Sequence, residues 1–229
     1  MSWKLLLACI IVHLILLYSI FDVYYTSPVI QGIQPHFLTN TEPPAKRIVI
    51  FSADGLRYDT FNENPDKSPY LHQIIRERRG ISGLSLSSVP TESRPGHVAI
   101  FAGITEDISA VAKVVDDGIG KTAQLISEYF NDSKTAFIFT SDHGMTDWGS
   151  HGAGTNQEVL TPFLAWGAGI RKGGARVTIN QIDLAALISI LIGKPIPVNS
   201  MGVLPIHVME NRESSMKYEF RASLANFLQ

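Results

Sequence analysis

KRIVIFSADG (46–55) and KTAFIFTSDHG (134–144) are written to one plan. Each places a short apolar run, Ile48 to Phe51 in the first and Thr135 to Thr140 in the second, before serine, an aspartate and a glycine. Unbroken apolar runs of this length suit strands buried on both faces. Working outward, Ser68-Pro69 predicts a capped helix start, with Leu71, Ile74, Ile75 and Arg78 at helical spacing and Gly80 as the stop. Ile81 to Val89 reads as strand plus loop, and a short helix is expected from Pro95 through His97 to Ala102. Val115 to Phe130 predicts a longer helix with Val115, Ile119, Ile126 and Phe130 on one side. A third strand is expected at Phe163 to Trp166, and an apolar helix from Gln181 to Ile192, ended by Gly193 and Pro195. Met216 to Leu228 reads as an amphipathic helix carrying Tyr218, Leu224, Phe227 and Leu228. The alternation predicts an α/β fold: a mostly parallel sheet with helices on both faces.

Ahead of this body, Leu5 to Phe21 runs without a charge. A spanning helix needs about 20 mostly apolar residues, which this run reaches with its flanks. Trp3 at one end and Tyr18, Phe21, Tyr24 and Tyr25 at the other suit the two membrane interfaces. The exit, Asp22-Val23-Tyr24-Tyr25-Thr26, lacks a small-x-small cleavage site, so an uncleaved anchor is expected over a cleaved signal. Lys4 favours a lumenal body. The expected organisation is a signal-anchor helix over 1–25, a proline-rich linker over 26–45, a catalytic domain over 46–205 and a helical tail over 206–229.

Composition narrows the chemistry. The 229 residues carry 45% hydrophobic and 17% charged side chains, a globular balance. The net charge of −2, with signs mixed along the chain, argues against a nucleic-acid partner. Cys9 is the only cysteine, so a metal would be held by histidine and carboxylates.

Ligands gather at the carboxyl ends of strands in open parallel sheets. Asp54 and Asp142 follow such ends, and His143 adjoins Asp142. Carboxylate oxygen and imidazole nitrogen are ordinary zinc donors. The alternative is that Asp54 caps the next helix and Ser141-Asp142-His143-Gly144 is a polar turn. VPTESRPGH (89–97) sets hydroxyls just before a helix, where backbone N–H groups favour an anion. Thr91 is then a candidate nucleophile, once a cation or base takes its proton. The competing assignment is that Thr91 or Ser93 is an N-cap. His151, among glycines, is a ligand or an exposed loop residue. His72 reads as a surface group, and His97 as a support for the phosphate site or a packing residue. Asn131-Asp132-Ser133 is a glycosylation sequon, consistent with a lumenal body.

FSADGLRYD (51–59), SSVPTESRPGH (87–97), FIFTSDHGMTDWGSHGAG (137–154) and NQIDLAALISILIG (180–193) together resemble the catalytic domain of the GPI ethanolamine phosphate transferases, in the alkaline phosphatase superfamily. The likeness covers most of residues 1–205. It implies a two-metal site, usually zinc, with Asp54, Thr91, Asp142 and His143 on one metal and His151 on the other. It implies a covalent phosphoethanolamine on Thr91, phosphatidylethanolamine as donor, and a mannose of the GPI glycolipid precursor as acceptor, in the endoplasmic reticulum membrane. Two further enzyme and module readings stay open: a membrane-anchored phosphodiesterase or nucleotide pyrophosphatase, and a non-catalytic lumenal binding module.

The chain departs from the family pattern at one junction. ITEDISAVAK (104–113) runs straight into VVDDGIGKTAQLI (114–126), where the family carries a long segment with an Asp-x-x-Gly-His-type motif. The family's later multi-spanning region is not seen either. One metal site is thereby expected to be complete and the other reduced to His151, with weak metal binding and poor turnover.

Overall fold

The computed structural model describes residues 3–25, 32–36, 42–102, 115–210 and 216–228. It falls into two units, Met1–Ile33 and Gln34–Gln229. The first contains helix α1 (Trp3–Tyr25), whose stretch Trp3–Asp22 is long and apolar enough to cross a membrane. A secretory signal meets the same criterion.

The second unit is built on five strands: β1 (Arg47–Ser52), β2 (Gly80–Leu86), β3 (Thr135–Thr140), β4 (Leu160–Gly167) and β5 (Val177–Asn180). Between them run helices α2 (Tyr58–Glu63), α3 (Pro69–Arg76), α4 (Ser93–Ala102), α5 (Val115–Phe130) and α6 (Asn156–Val159); α7 (Asp183–Leu191) and α8 (Met216–Leu228) follow. The sheet order is β1-β3-β4-β2-β5. β1 pairs parallel with β3 and β2 parallel with β5, but β4 is antiparallel to both its neighbours. The sheet is therefore mixed rather than simply parallel. Its expected third strand is the reversed one, because only the short segment 141–159 connects it to β3 and returns it along the same rim.

Side chains alternate across β3. Ala136 and Ile138 enter one core with Phe163, Ile100 of α4, and Leu184, Leu187 and Ile190 of α7. Phe137 and Phe139 enter the other with Phe61 of α2, Leu71 and Ile74 of α3, and Ile119 of α5. β3 is buried throughout, as its sequence predicts. β1 is half-buried along its length, because it forms the sheet edge.

Three local expectations are corrected. His72 is 9% exposed and packs on Phe61, with ring centroids 4.5 Å apart, so it is no surface group. The Ser68 hydroxyl meets His72 Nδ1 at 2.9 Å instead of capping α3. The α8 face that packs inward is made by Ala222 and Ala225, while Leu224 and Phe227 point out. Small side chains let this helix lie close, and the Asn226 amide accepts from Leu204 N–H at 2.9 Å and donates to Gly202 O at 3.0 Å.

Candidate metal and phosphoryl-transfer site

Parallel register builds the site. Ser52 of β1 pairs with Thr140 of β3, so Asp54 and Asp142 each lie two residues beyond matched strand ends. Ala53 N–H donates to Thr140 O at 2.9 Å and carries the pairing one step further. Asp54 does not serve as the helix cap that the alternative assignment required: α2 begins at Tyr58 behind Arg57, without a side-chain cap.

Each carboxylate divides its oxygens between protein and cluster. Asp142 Oδ1 accepts from Gly55 N–H at 3.2 Å and from its neighbour's, His143 N–H, at 3.0 Å. Asp54 Oδ2 accepts the Ser93 hydroxyl at 2.6 Å. The remaining oxygens, Asp54 Oδ1 and Asp142 Oδ2, are buried and have no hydrogen-bond partner among the described residues. They stand 3.8 and 3.9 Å from His143 Nε2. His143 Nδ1 lies 2.7 Å from Gly144 O, and a carbonyl only accepts, so Nδ1 carries the proton. Nε2 then presents its lone pair to the two orphaned oxygens. One ligand atom from each of Asp54, Asp142 and His143 lies within 4.8 Å of the others. Three lone-pair donors converging with no proton between them is a costly arrangement that a dication would resolve. The residues fit a metal.

Electrostatics agree with this geometry. Burial, aided by the charge of Asp142, pushes the Asp54 carboxyl above its ordinary range. Burial would also raise Asp142, but the Ser93 hydroxyl and His143 outweigh it and hold Asp142 below that range.

The hydroxyl at the cluster belongs to Ser93, not Thr91. Besides donating to Asp54, Ser93 Oγ sits 3.1 Å from His143 Nε2. It is the first residue of α4. Thr91 is 1% exposed, and its hydroxyl is committed elsewhere: it donates to Ala153 O at 2.5 Å and accepts from Gly152 N–H at 3.0 Å. Among the described residues, neither hydroxyl accepts from an α4 N–H group. α4 reaches the cluster through Gly96, where a Cβ would stand 2.7 Å from Asp142 O and 2.8 Å from its Cβ. Only glycine lets helix and turn approach so closely.

His151 lies beside this group rather than in it. Its ring stacks on His143 with centroids 4.5 Å apart, and its Nδ1 meets Thr91 O at 3.1 Å. His97 is exposed. Asn131 is exposed just past α5, at φ 45°. The junction near Lys113 lies outside the described residues.

Sequence reasoning missed Glu158, which holds the His151 loop. One oxygen accepts from Ala153 N–H at 3.1 Å; the other accepts from Thr155 N–H at 3.0 Å and from its hydroxyl. The capping-box spacing Thr155-x-x-Glu158 was the available signal. Burial opposes ionisation of Glu158, yet these donors hold its carboxyl below the ordinary value of 4.5. A depressed folded value adds stability that is complete above the unfolded value and lost as pH falls through the folded one. Glu158→Gln should therefore destabilise the protein near neutrality, and the loss should shrink as pH falls below about 4.5. Melting curves from pH 3 to 7 check this; a penalty independent of pH would refute it.

No family model matches the chain. It is 31% identical to GPI ethanolamine phosphate transferase 1 of Mus musculus, over 88% of this chain and 37% of that protein. Against the protein of the same name in Homo sapiens the identity is 30%, over 89% of this chain and 37% of the relative. Against that of Aspergillus fumigatus it is 28%, over 95% and 36%. The chain is homologous to these transferases and spans little more than a third of their length. The mouse alignment runs over 345 positions; 88% of 229 residues is about 200, so about 140 positions of the relative face no residue here. That gap agrees with the expectation of a missing internal segment.

Proposed function

We propose that this chain is a phosphoethanolamine transferase of GPI-anchor synthesis in which Ser93, in place of Thr91, is the nucleophile. The observation carrying this reading is the Ser93 hydroxyl, 2.6 Å from Asp54 and 3.1 Å from His143, at the start of α4. Asp54, Asp142 and His143 would hold the metal, which supplies charge neutralisation and acidifies a neighbouring hydroxyl. Zinc is the metal this donor set favours. The N–H groups of Ser93 and Arg94, which open α4, orient the phosphodiester of phosphatidylethanolamine. The Ser93 proton leaves along its hydrogen bond to Asp54 as the Oγ–P bond forms. The P–O bond to diacylglycerol breaks, and the proton passes to that departing alcohol. A hydroxyl of the first mannose in the GPI precursor then attacks phosphorus, giving its proton back and freeing Ser93.

The transferase name of the homologues supports the substrates, and α1 supports a membrane anchor with the body in the endoplasmic reticulum lumen. The second metal of the family would draw on His151 alone here, which supports slow turnover.

A second reading, a non-catalytic metal-binding module, is favoured by the roughly 140 unmatched positions of the relative. Full-length protein in detergent, given zinc and headgroup-labelled phosphatidylethanolamine, separates the two. Label on the Ser93 peptide, absent with EDTA and chased by a mannose acceptor, is the expected result. Label on Thr91 would reject the nucleophile; zinc-bound protein with no label would favour the module. Preference for a nucleotide diester would point to a phosphodiesterase.

A further inference from the structure

We infer that Gln181 is a positioning residue that sets the metal affinity of the site by clamping the backbone of Asp142. This rests on the metal-site reading above. Gln181 is fully buried, between β5 and α7. Its Nε2 lies 2.6 Å from Asp142 O, 3.1 Å from Ser141 O and 3.3 Å from Ser87 Oγ. Two of these partners are carbonyls and can only accept, so the amide nitrogen must face them. Ser87 Oγ also donates to Asp142 O, at 2.9 Å. One carbonyl thus takes both donors, and both come from outside the turn that carries Asp142 and His143.

The sheet explains why a clamp is needed. β4 runs opposite to β3 and β2 and lies between them. β3 leaves the sheet at Thr140, and β4 enters at Leu160 on the same rim. The stretch beyond Thr140 leaves the β3–β4 ladder, whose last pair is Thr140 with Phe163, and is next tied to that side where Gly144 N–H donates to Glu158 O at 2.6 Å. Ser87, anchored by its N–H to Val159 O at 2.9 Å, and Gln181, anchored by its N–H to Leu86 O at 2.9 Å, hold the turn between those two points. The clamp touches no cluster atom. It fixes the main chain from which Asp142 Oδ2 and His143 Nε2 project. Partners of this outer kind change metal affinity by about 10–100-fold when removed.

The test uses the full chain in detergent, titrated with zinc against a chelating dye, with melting of the metal-free protein measured in EDTA. Gln181→Met keeps the volume and removes the donors. It should weaken zinc binding at least about tenfold, with metal-free melting lowered no more than in an apolar-core control such as Ile190→Val. If Gln181→Met fails to fold, Ser87→Ala removes the other donor on the same carbonyl and should weaken binding several-fold. Zinc affinity unchanged in a folded variant overturns the inference and leaves the metal site standing. No zinc binding by the wild type overturns the metal site, and the clamp with it. Lower melting at unchanged affinity assigns Gln181 to stability alone.

Discussion

Asp142→Asn is expected to abolish metal binding while leaving the fold intact. Asp142 Oδ1 must accept from the N–H groups of Gly55 and His143. Asparagine can satisfy both only by placing its carbonyl oxygen there. Its NH2 then takes the place of Oδ2, facing His143 Nε2 and Asp54 Oδ1, both lone-pair acceptors. A cation site becomes a hydrogen-bonded cluster, with one negative charge removed and a donor aimed where the cation would sit. Metal-free stability should change by no more than about 1 kcal/mol, since the lost charge is offset by newly satisfied acceptors. The metal-dependent part should vanish. A ligand at 100 times its Kd stabilises by about 2.7 kcal/mol, a melting shift of roughly 5–10 °C for a chain of this size. Wild type should show that shift with zinc and Asp142→Asn none. An equal shift in both proteins would remove Asp142 from the metal site.

The second large effect separates two hydroxyls that lie two residues apart. Ser93→Ala should cut phosphoethanolamine transfer, or formation of the labelled enzyme, by at least about a thousandfold, because among the described residues no other hydroxyl is hydrogen-bonded to Asp54. Thr91→Val should behave differently. It removes a buried hydroxyl and leaves Ala153 O and Gly152 N–H without their partner. The cost is about 1–3 kcal/mol of stability, with labelling per folded molecule kept within about tenfold of wild type. Denaturant melts and single-turnover labelling on the same preparations measure both. The opposite pattern, with Thr91→Val inactive at full stability, would return the nucleophile to Thr91.

Much of the molecule was legible in its sequence. The extents of α5, β3 and α8 follow directly from apolar periodicity. Repetition of the strand-Ser-Asp-Gly plan led to Asp54 and Asp142, because parallel strands in register deliver equal offsets to one rim. His143 came with them by adjacency. α2 and β5 carried too few residues to register as periodic, and both were missed.

Local pattern thus determined the α/β class, the carboxylate–imidazole cluster and the helix beside it. Packing decided which hydroxyl belongs to that cluster. Successive helical residues point about 100° apart, so facing depends on where α4 starts and how Gly96 lets it seat on Asp142. Neither is written in nearest-neighbour chemistry. The reversal of β4 and the clamp by Gln181 are decided the same way. Gln181 lies 39 positions from Asp142 in the chain, and only the folded sheet brings its amide to that carbonyl.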